Sequence, residues 1–249
     1  MAEIRLDGRI ALVTGASRGL GAAVAVRLAA AGAHVVLLAR TQGGIEETDD
    51  AVRAAGGAAT LIPLDLRDFD KIDQLGAALH QRFGRLDILV AAAGVPGLLS
   101  PLGHFDPKGW QEVIDVNFTA NWRLLRALDP LLRLSPAGRA IFVTCAAAHE
   151  QLPYWGAYAA SKAALEAMVH VYAGEIAITN MRANLVDPGK LRTRLRAAGF
   201  PREDRSRLRR PEDATEPFVA LAAAACDANG TRVVIPPPGD AVAAWPAGA

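Results

Sequence analysis

Seven short apolar runs, separated by stretches long enough for helices, constrain this chain more than any other feature. They read RIALVT (9–14), HVVLLA (34–39), ATLIPL (59–64), LDILVA (86–91), RAIFVT (139–144), RANLV (182–186) and TRVVI (231–235). Each run is apolar throughout instead of alternating, the pattern of parallel strands covered on both faces. Helical patterns fall between them at 19–31, 44–55, 68–83, 107–133, 155–178 and 212–228. Strand and helix in succession predict an α/β fold, a doubly wound seven-stranded parallel sheet with helices on both faces. No repeat, low-complexity tract or linker interrupts residues 1–249, so a single domain is expected, with a lid at 188–211 and a C-terminal tail at 236–249.

Composition narrows the function classes. The 249 residues are 51% hydrophobic and 21% charged, enough to bury one substantial core. A net charge of +1 gives no global attraction to nucleic acid or to an acidic membrane surface. Two cysteines make no disulfide framework, which fits a reducing compartment. The opening MAEIRLDGRIALVTG lacks the pattern of a signal peptide, and no apolar run is long enough to span a bilayer. The expectation is a soluble cytoplasmic protein. The five histidines are scattered, so no metal site is expected.

The segment TGASRGLG (14–21) follows the first strand and opens the first helix. Gly15, Gly19 and Gly21 permit a tight turn, close backbone approach and close helix–strand packing. The helix N-terminus then offers free N–H groups to a pyrophosphate, which points to a dinucleotide. Where the second strand ends, a carboxylate would grip the ribose 2′-hydroxyl of NAD. Here LLARTQ supplies Ala39 and then Arg40, and Arg18 lies within the glycine turn. Two guanidinium groups and no acid favour the additional 2′-phosphate, hence NADP(H) over NAD(H).

Further on, Tyr158 and Lys162 are four residues apart on an expected helix and share a face. A phenol has an ordinary pKa of about 10, and a neighbouring ammonium is expected to lower it, suiting the tyrosine to proton exchange with a carbonyl or alcohol. Tyr154 has Tyr158, not a cation, one turn along.

These segments together resemble the short-chain dehydrogenase/reductase family over nearly the whole chain. The glycine turn matches its T-G-x-x-x-G-x-G, and Tyr158–Lys162 its Y-x-x-x-K. LDILVAAAG (86–94) is similar to the L-V-N-N-A-G segment, and NLVDPGKLRT (184–193) to N-x-V-x-P-G-x-x-x-T. The resemblance implies a Rossmann-like domain and an NADP(H)-dependent oxidoreductase that moves hydride between nicotinamide and a small-molecule carbonyl or secondary alcohol. It implies Tyr158 as general acid/base, Lys162 as its partner, Asn117 of DVNF as anchor of a water relay, and Cys145 in the place of the substrate-orienting serine. It implies cofactor contacts from Gly15, Ser17, Arg18, Gly19, Leu20, Gly21, Arg40, Asp65, Leu66, Ala91, Tyr158, Lys162, Pro188, Gly189 and Thr193. Asp65 and Leu66 would meet the adenine. A homodimer or homotetramer assembled through 107–133 and 155–178 is also implied.

Two departures stand out. Ala91 and Ala92 replace the two asparagines of N-N-A-G, so a looser strand end is expected. Cys145 is a weaker donor than serine, so either the step is slower, or Thr144 or His149 supplies the donor, or the substrate differs. That substitution leaves open an alternative, a low-turnover dinucleotide-binding sensor or scaffold. For the substrate side, Leu98, Leu99, Leu152, Tyr154, Trp155 and Phe200 suggest an apolar pocket. Eight arginines between 192 and 210 suggest either a solvated loop or a lid that attracts anions.

Overall fold

In the computed structural model, which describes residues 4–237, all seven strands pair in parallel in the order β3-β2-β1-β4-β5-β6-β7. The strands are β1 (Ile10–Thr14), β2 (His34–Ala39), β3 (Ala58–Pro63), β4 (Ile88–Ala91), β5 (Arg139–Val143), β6 (Arg182–Asp187) and β7 (Arg232–Val234). Their central members are buried along their length, which is why their sequences show no alternation. The chain reverses its direction of sheet growth between β1 and β4. In such sheets a crevice opens there, at the carboxyl ends of the strands.

Two apolar cores cover the two faces. One packs α1 (Gly19–Ala30), α2 (Gln42–Ala54) and α8 (Glu216–Ala222) through Val24, Leu28, Ile45, Val52 and Phe218. The other packs α3 (Phe69–Phe83), α5 (Ala120–Arg133) and α6 (Gly156–Glu175) through Ile72, Leu79, Leu124, Leu128, Leu165 and Val169. The expected helix at 107–133 is divided: α4 (Pro107–Ile114) passes through a π-helical turn, Asp115–Thr119, into α5. The 212–228 helix is shorter than expected, a 3₁₀ turn at Pro211–Ala214 followed by α8 with Pro217 in its first turn. The 188–211 segment carries the short helix α7 (Arg194–Gly199). It is pinned where Leu191 bridges Arg209 in parallel and the Arg192 N–H donates to the Arg209 carbonyl at 2.8 Å. The expected tail lies outside the described residues from position 238 onward. No helix among the described residues is long and apolar enough to cross a membrane.

Candidate active site

The carboxyl ends of the strands border one cleft of about 1170 Å³. One end is the glycine turn. A Cβ on Gly15 would lie 2.8 Å from Ala93 Cα, and one on Gly21 would lie 2.4 Å from the Gly15 carbonyl oxygen, so only hydrogen fits at either position. The first turn of α1 has no side-chain cap and no acidic residue, which leaves its N–H groups facing the cleft. Ser17, Arg18, Gly19, Leu20, Arg40, Asp65 and Leu66 line the same end. Thr193 approaches from the opposite wall, with its methyl 3.6 Å from where a Gly19 Cβ would be. This cradle fits a dinucleotide: close-packed glycines, uncapped helix N–H groups and flanking guanidiniums.

Sequence reasoning missed Arg67 in this region. Its guanidinium donates to both Asp65 oxygens (3.1 and 2.7 Å) and to Glu112 at 3.2 Å. Arg67 holds the Asp65 carboxyl below the usual carboxylate range, with Arg40 3.9 Å from the same carboxylate. Asp65 is therefore already neutralised by arginine before any ligand arrives.

At the other end, α6 presents Tyr158 and Lys162 on one face, both buried. The Lys162 ammonium donates to the Val143 carbonyl at 2.8 Å and lies 5.9 Å from the centroid of the Tyr158 ring. The Cys145 thiol is the neighbour that acts most on the Tyr158 phenol. Burial acts on all three. It pushes the Tyr158 phenol well above its ordinary value, with Cys145 adding to the effect. It raises the Cys145 thiol against the opposing pull of Lys162 and Tyr158. It lowers Lys162 against the pull of Cys145 and Glu166. The sequence expectation of a phenol made acidic by its lysine is thus reversed: desolvation sets the direction, and Tyr158 is held protonated.

Asn117 sits in the π-helical turn, fully buried behind the cleft wall and not on it. Its amide nitrogen donates to the Val95 carbonyl (2.9 Å) and the Ser161 hydroxyl (3.0 Å), while its oxygen accepts the Val95 N–H at 2.9 Å. It still borders Lys162: a Cβ on Gly94 would lie 3.5 Å from Asn117 Oδ1 and 3.8 Å from Lys162 Nζ. Ala91 is also absent from the cleft. As the last residue of β4 its methyl points into the core, and Ala92, Ala93 and Gly94 line the wall instead. The looser strand end expected there is not found, because Thr14 Oγ1 accepts the N–H groups of both Ala92 (3.1 Å) and Ala93 (3.2 Å).

Neither proposed substitute for the serine donor is free. The Thr144 hydroxyl donates to Glu166 Oε1, and His149 Nε2 lies 2.6 Å from Glu166 Oε2. Glu166 is one turn beyond Lys162 and buried, so residues 158, 162 and 166 form one inward stripe, a spacing visible in the sequence. Arg232 of β7 lies 3.4 Å from Glu166 and 2.7 Å from Asp187, and Asp187 accepts the Gly189 N–H at 3.0 Å. Burial raises the Asp187 carboxyl, opposed by Gly189 and Arg232. These contacts connect Pro188-Gly189, which lines the cleft, to the β5 end carrying Cys145.

On the substrate side, Trp155 meets the Tyr158 ring edge-on (5.5 Å between centroids) and stacks on Phe200 (5.3 Å). Leu99, Leu152 and Leu195 pack against this cluster. Leu98 and Tyr154 do not join it; they are 72% and 59% exposed. Tyr154 has φ +73°, the one non-glycine residue among those described with a left-handed backbone, and this turn sends its ring outward while Trp155 goes inward.

A parallel sheet in this order, a glycine cradle at its switch point and a buried tyrosine–lysine pair across the cleft define a dinucleotide-dependent oxidoreductase architecture. The chain belongs to the short-chain dehydrogenase/reductase family: residues 9–204 match the short chain dehydrogenase model. It is 36% identical over 211 residues to the uncharacterized oxidoreductase YciK of Escherichia coli, covering 84% of this chain and 83% of that protein. It is 38% identical over 197 residues to an uncharacterized NAD-dependent oxidoreductase of Mycobacterium tuberculosis, covering 74% and 71%. It also superposes on an Escherichia coli short chain dehydrogenase solved with NADPH, with TM-score 0.89 and 34% identity over 94% of this chain and 99% of that one. The protein is therefore an oxidoreductase of this family.

Proposed function

We propose that the protein is an NADP(H)-dependent reductase or dehydrogenase acting on a small-molecule carbonyl or the corresponding secondary alcohol. The observation that carries this reading is the placement of Tyr158 and Lys162 across one cleft from the uncapped glycine turn. Gly15, Ser17, Gly19, Leu20 and Gly21 would hold the pyrophosphate. Arg18, Arg40 and Arg67 would hold the 2′-phosphate, and Pro188, Gly189 and Thr193 the nicotinamide half. When bound, the nicotinamide supplies or accepts the hydride.

The chain's own groups handle the proton and the orientation. Tyr158, held neutral by burial, donates its proton to the substrate oxygen. Cys145 lies beside that oxygen as a weak donor. Lys162, anchored on Val143, stabilises the phenolate left behind, and Asn117 fixes the loop at Gly94–Val95 next to it. Trp155 and Phe200 exclude water from the phenol. Support for NADP(H) comes from Ala39 where an acid would be needed for NAD, and from the arginine that neutralises Asp65. The NADPH complex of a structural relative points the same way, while an NAD-dependent relative shows that both preferences occur among similar proteins.

Calorimetric titration with NADPH and NADH, followed by NADPH oxidation against a panel of aldehydes and ketones, tests the reading. Tighter NADPH binding with turnover that disappears in Tyr158→Phe is expected. Binding without turnover on any carbonyl or alcohol would favour a sensor instead. A homodimer or homotetramer through α4–α5 and α6 is part of the proposal, supported by Trp122 and Val171, which are 45% and 63% exposed on α5 and α6. A monomer by sedimentation would remove that part.

A further inference from the structure

We propose that the substrate carries an anionic group, a carboxylate or a phosphate ester, on an apolar body, and that Arg205 and Arg209 receive it. The proposal rests on the oxidoreductase reading above. Beside the phenol the cleft is apolar, walled by Leu152, Trp155, Leu195 and Phe200. The same cleft is also lined by arginines of the 188–211 segment.

The carboxylates within the lid segment are already used. Glu203 is paired with Arg196 at 2.6 Å, and Asp204 lies 3.5 Å from Arg207. Arg192, Arg194, Arg205 and Arg209 line the cleft with no side-chain ion pair or hydrogen bond to any described residue. The Leu191–Arg209 bridge brings residues 191–193 and 205–209 side by side, so the fold itself gathers these charges. Like charges gathered beside an apolar wall repel one another, and an anion removes that repulsion.

The cofactor does not account for all four. Its 2′-phosphate is assigned above to Arg18, Arg40 and Arg67. Thr193 touches the glycine turn, so its neighbours Arg192 and Arg194 lie close enough to serve the pyrophosphate. Arg205 and Arg209 have no group assigned to them, and the bridge to Leu191 sets Arg209 beside Arg192 at the pyrophosphate end. A guanidinium pairs with carboxylate or phosphate through two parallel hydrogen bonds, which suits either anion.

The test uses the full-length protein, with and without NADPH. Calorimetric titrations with octanoate, octyl phosphate and octanamide compare two anions with a neutral amide of similar length. At least one anion should bind tighter than the amide by about tenfold or more, roughly 1.4 kcal/mol. That advantage should shrink as salt is raised. It should vanish in the Arg205→Gln/Arg209→Gln double variant while NADPH affinity is kept. The ranking of octanoate against octyl phosphate identifies which anion is preferred. In a second arm, NADPH-dependent reduction of an oxo-octanoate is compared with that of its methyl ester, and the acid should have the higher kcat/KM. Equal binding of amide and anions, or an anion preference that survives in the double variant, overturns the proposal. Reduction of the ester as well as the acid overturns it while leaving the oxidoreductase reading in place. Anion-selective binding with neither ketone reduced keeps the anion site and removes the proposed carbonyl chemistry on this class of substrate.

Discussion

Glu166 accepts the hydroxyl of Thr144, the residue immediately before Cys145, while both lie buried. The same carboxylate faces His149 and Arg232, so it ties α6 to β5, to the loop after β5 and to β7. Removing it leaves Arg232 with Asp187 alone and takes the acceptor from the buried Thr144 hydroxyl before Cys145. Glu166→Leu is expected to cost about 1–3 kcal/mol, the range for leaving a buried hydrogen-bonding group without its partner. Urea unfolding measures the cost; a loss below 1 kcal/mol would mean the carboxylate is not a structural tie.

Thr14 performs a comparable task at the other end of the cleft. Thr14→Val keeps the shape but leaves the Ala92 and Ala93 N–H groups without their acceptor. A loss of about 1–3 kcal/mol in stability is expected. NADPH should also bind more weakly, because Ala93 lies against Gly15 of the phosphate turn.

The pH dependence follows from the sign of the Tyr158 shift. Burial raises the folded-state phenol above its unfolded value of about 10. The stability contributed by the neutral phenol is present below that value and is lost as pH rises through the higher folded-state pKa. For carbonyl reduction, the proton-donating form is fully populated at neutral pH. The reduction rate should therefore show no alkaline fall from Tyr158 below pH of about 10. Tyr158→Phe should lower the rate by about 10²–10⁴ with NADPH affinity nearly kept. A fall centred near neutral pH that Tyr158→Phe abolishes would contradict the assignment.

Replacing Cys145 tests the cost of a thiol beside the reacting oxygen. A good donor of this kind is worth about 10²–10³ in rate elsewhere, so Cys145→Ser should raise kcat on a reducible carbonyl by about tenfold or more. An unchanged or lower kcat in a folded variant would show that the site is fitted to sulfur.

Cofactor choice should turn on one position. Ala39→Asp places a carboxylate beside Arg40 at the end of β2, where a 2′-phosphate is expected. The ratio of kcat/KM for NADPH over NADH should fall by about a hundredfold, roughly 2.7 kcal/mol. No change in that ratio would move the 2′-phosphate site elsewhere.

The sequence made the strands, the parallel sheet and the phosphate turn legible, because burial on both faces and the glycine spacing leave direct marks on residue type. It also located Tyr158 and Lys162, since a four-residue spacing places both on one side of a helix. What it could not convey was the environment. Proximity of Lys162 implied an acidic phenol, but the degree of burial, a property of the assembled cluster with Trp155 and Cys145, decides the direction. Thr14, Asp187 and Arg232 escaped notice because their partners are distant in the chain. Arg67 escaped because its neighbour Asp65 was assigned to a ligand instead of to a residue two positions away.

The 188–211 segment rests on the N-terminal end of α6 at a point where no side chain can intervene. A Cβ on Gly199 would sit 2.3 Å from the Trp155 indole, whose other neighbours are Phe200 and Tyr158. A single methyl group there would act as a wedge, tilting α7 off the indole and admitting solvent to the phenol. The separation of this segment from the Tyr158 phenol is thus set by one hydrogen atom, which makes position 199 a handle for widening the cleft without replacing Tyr158, Lys162 or Cys145.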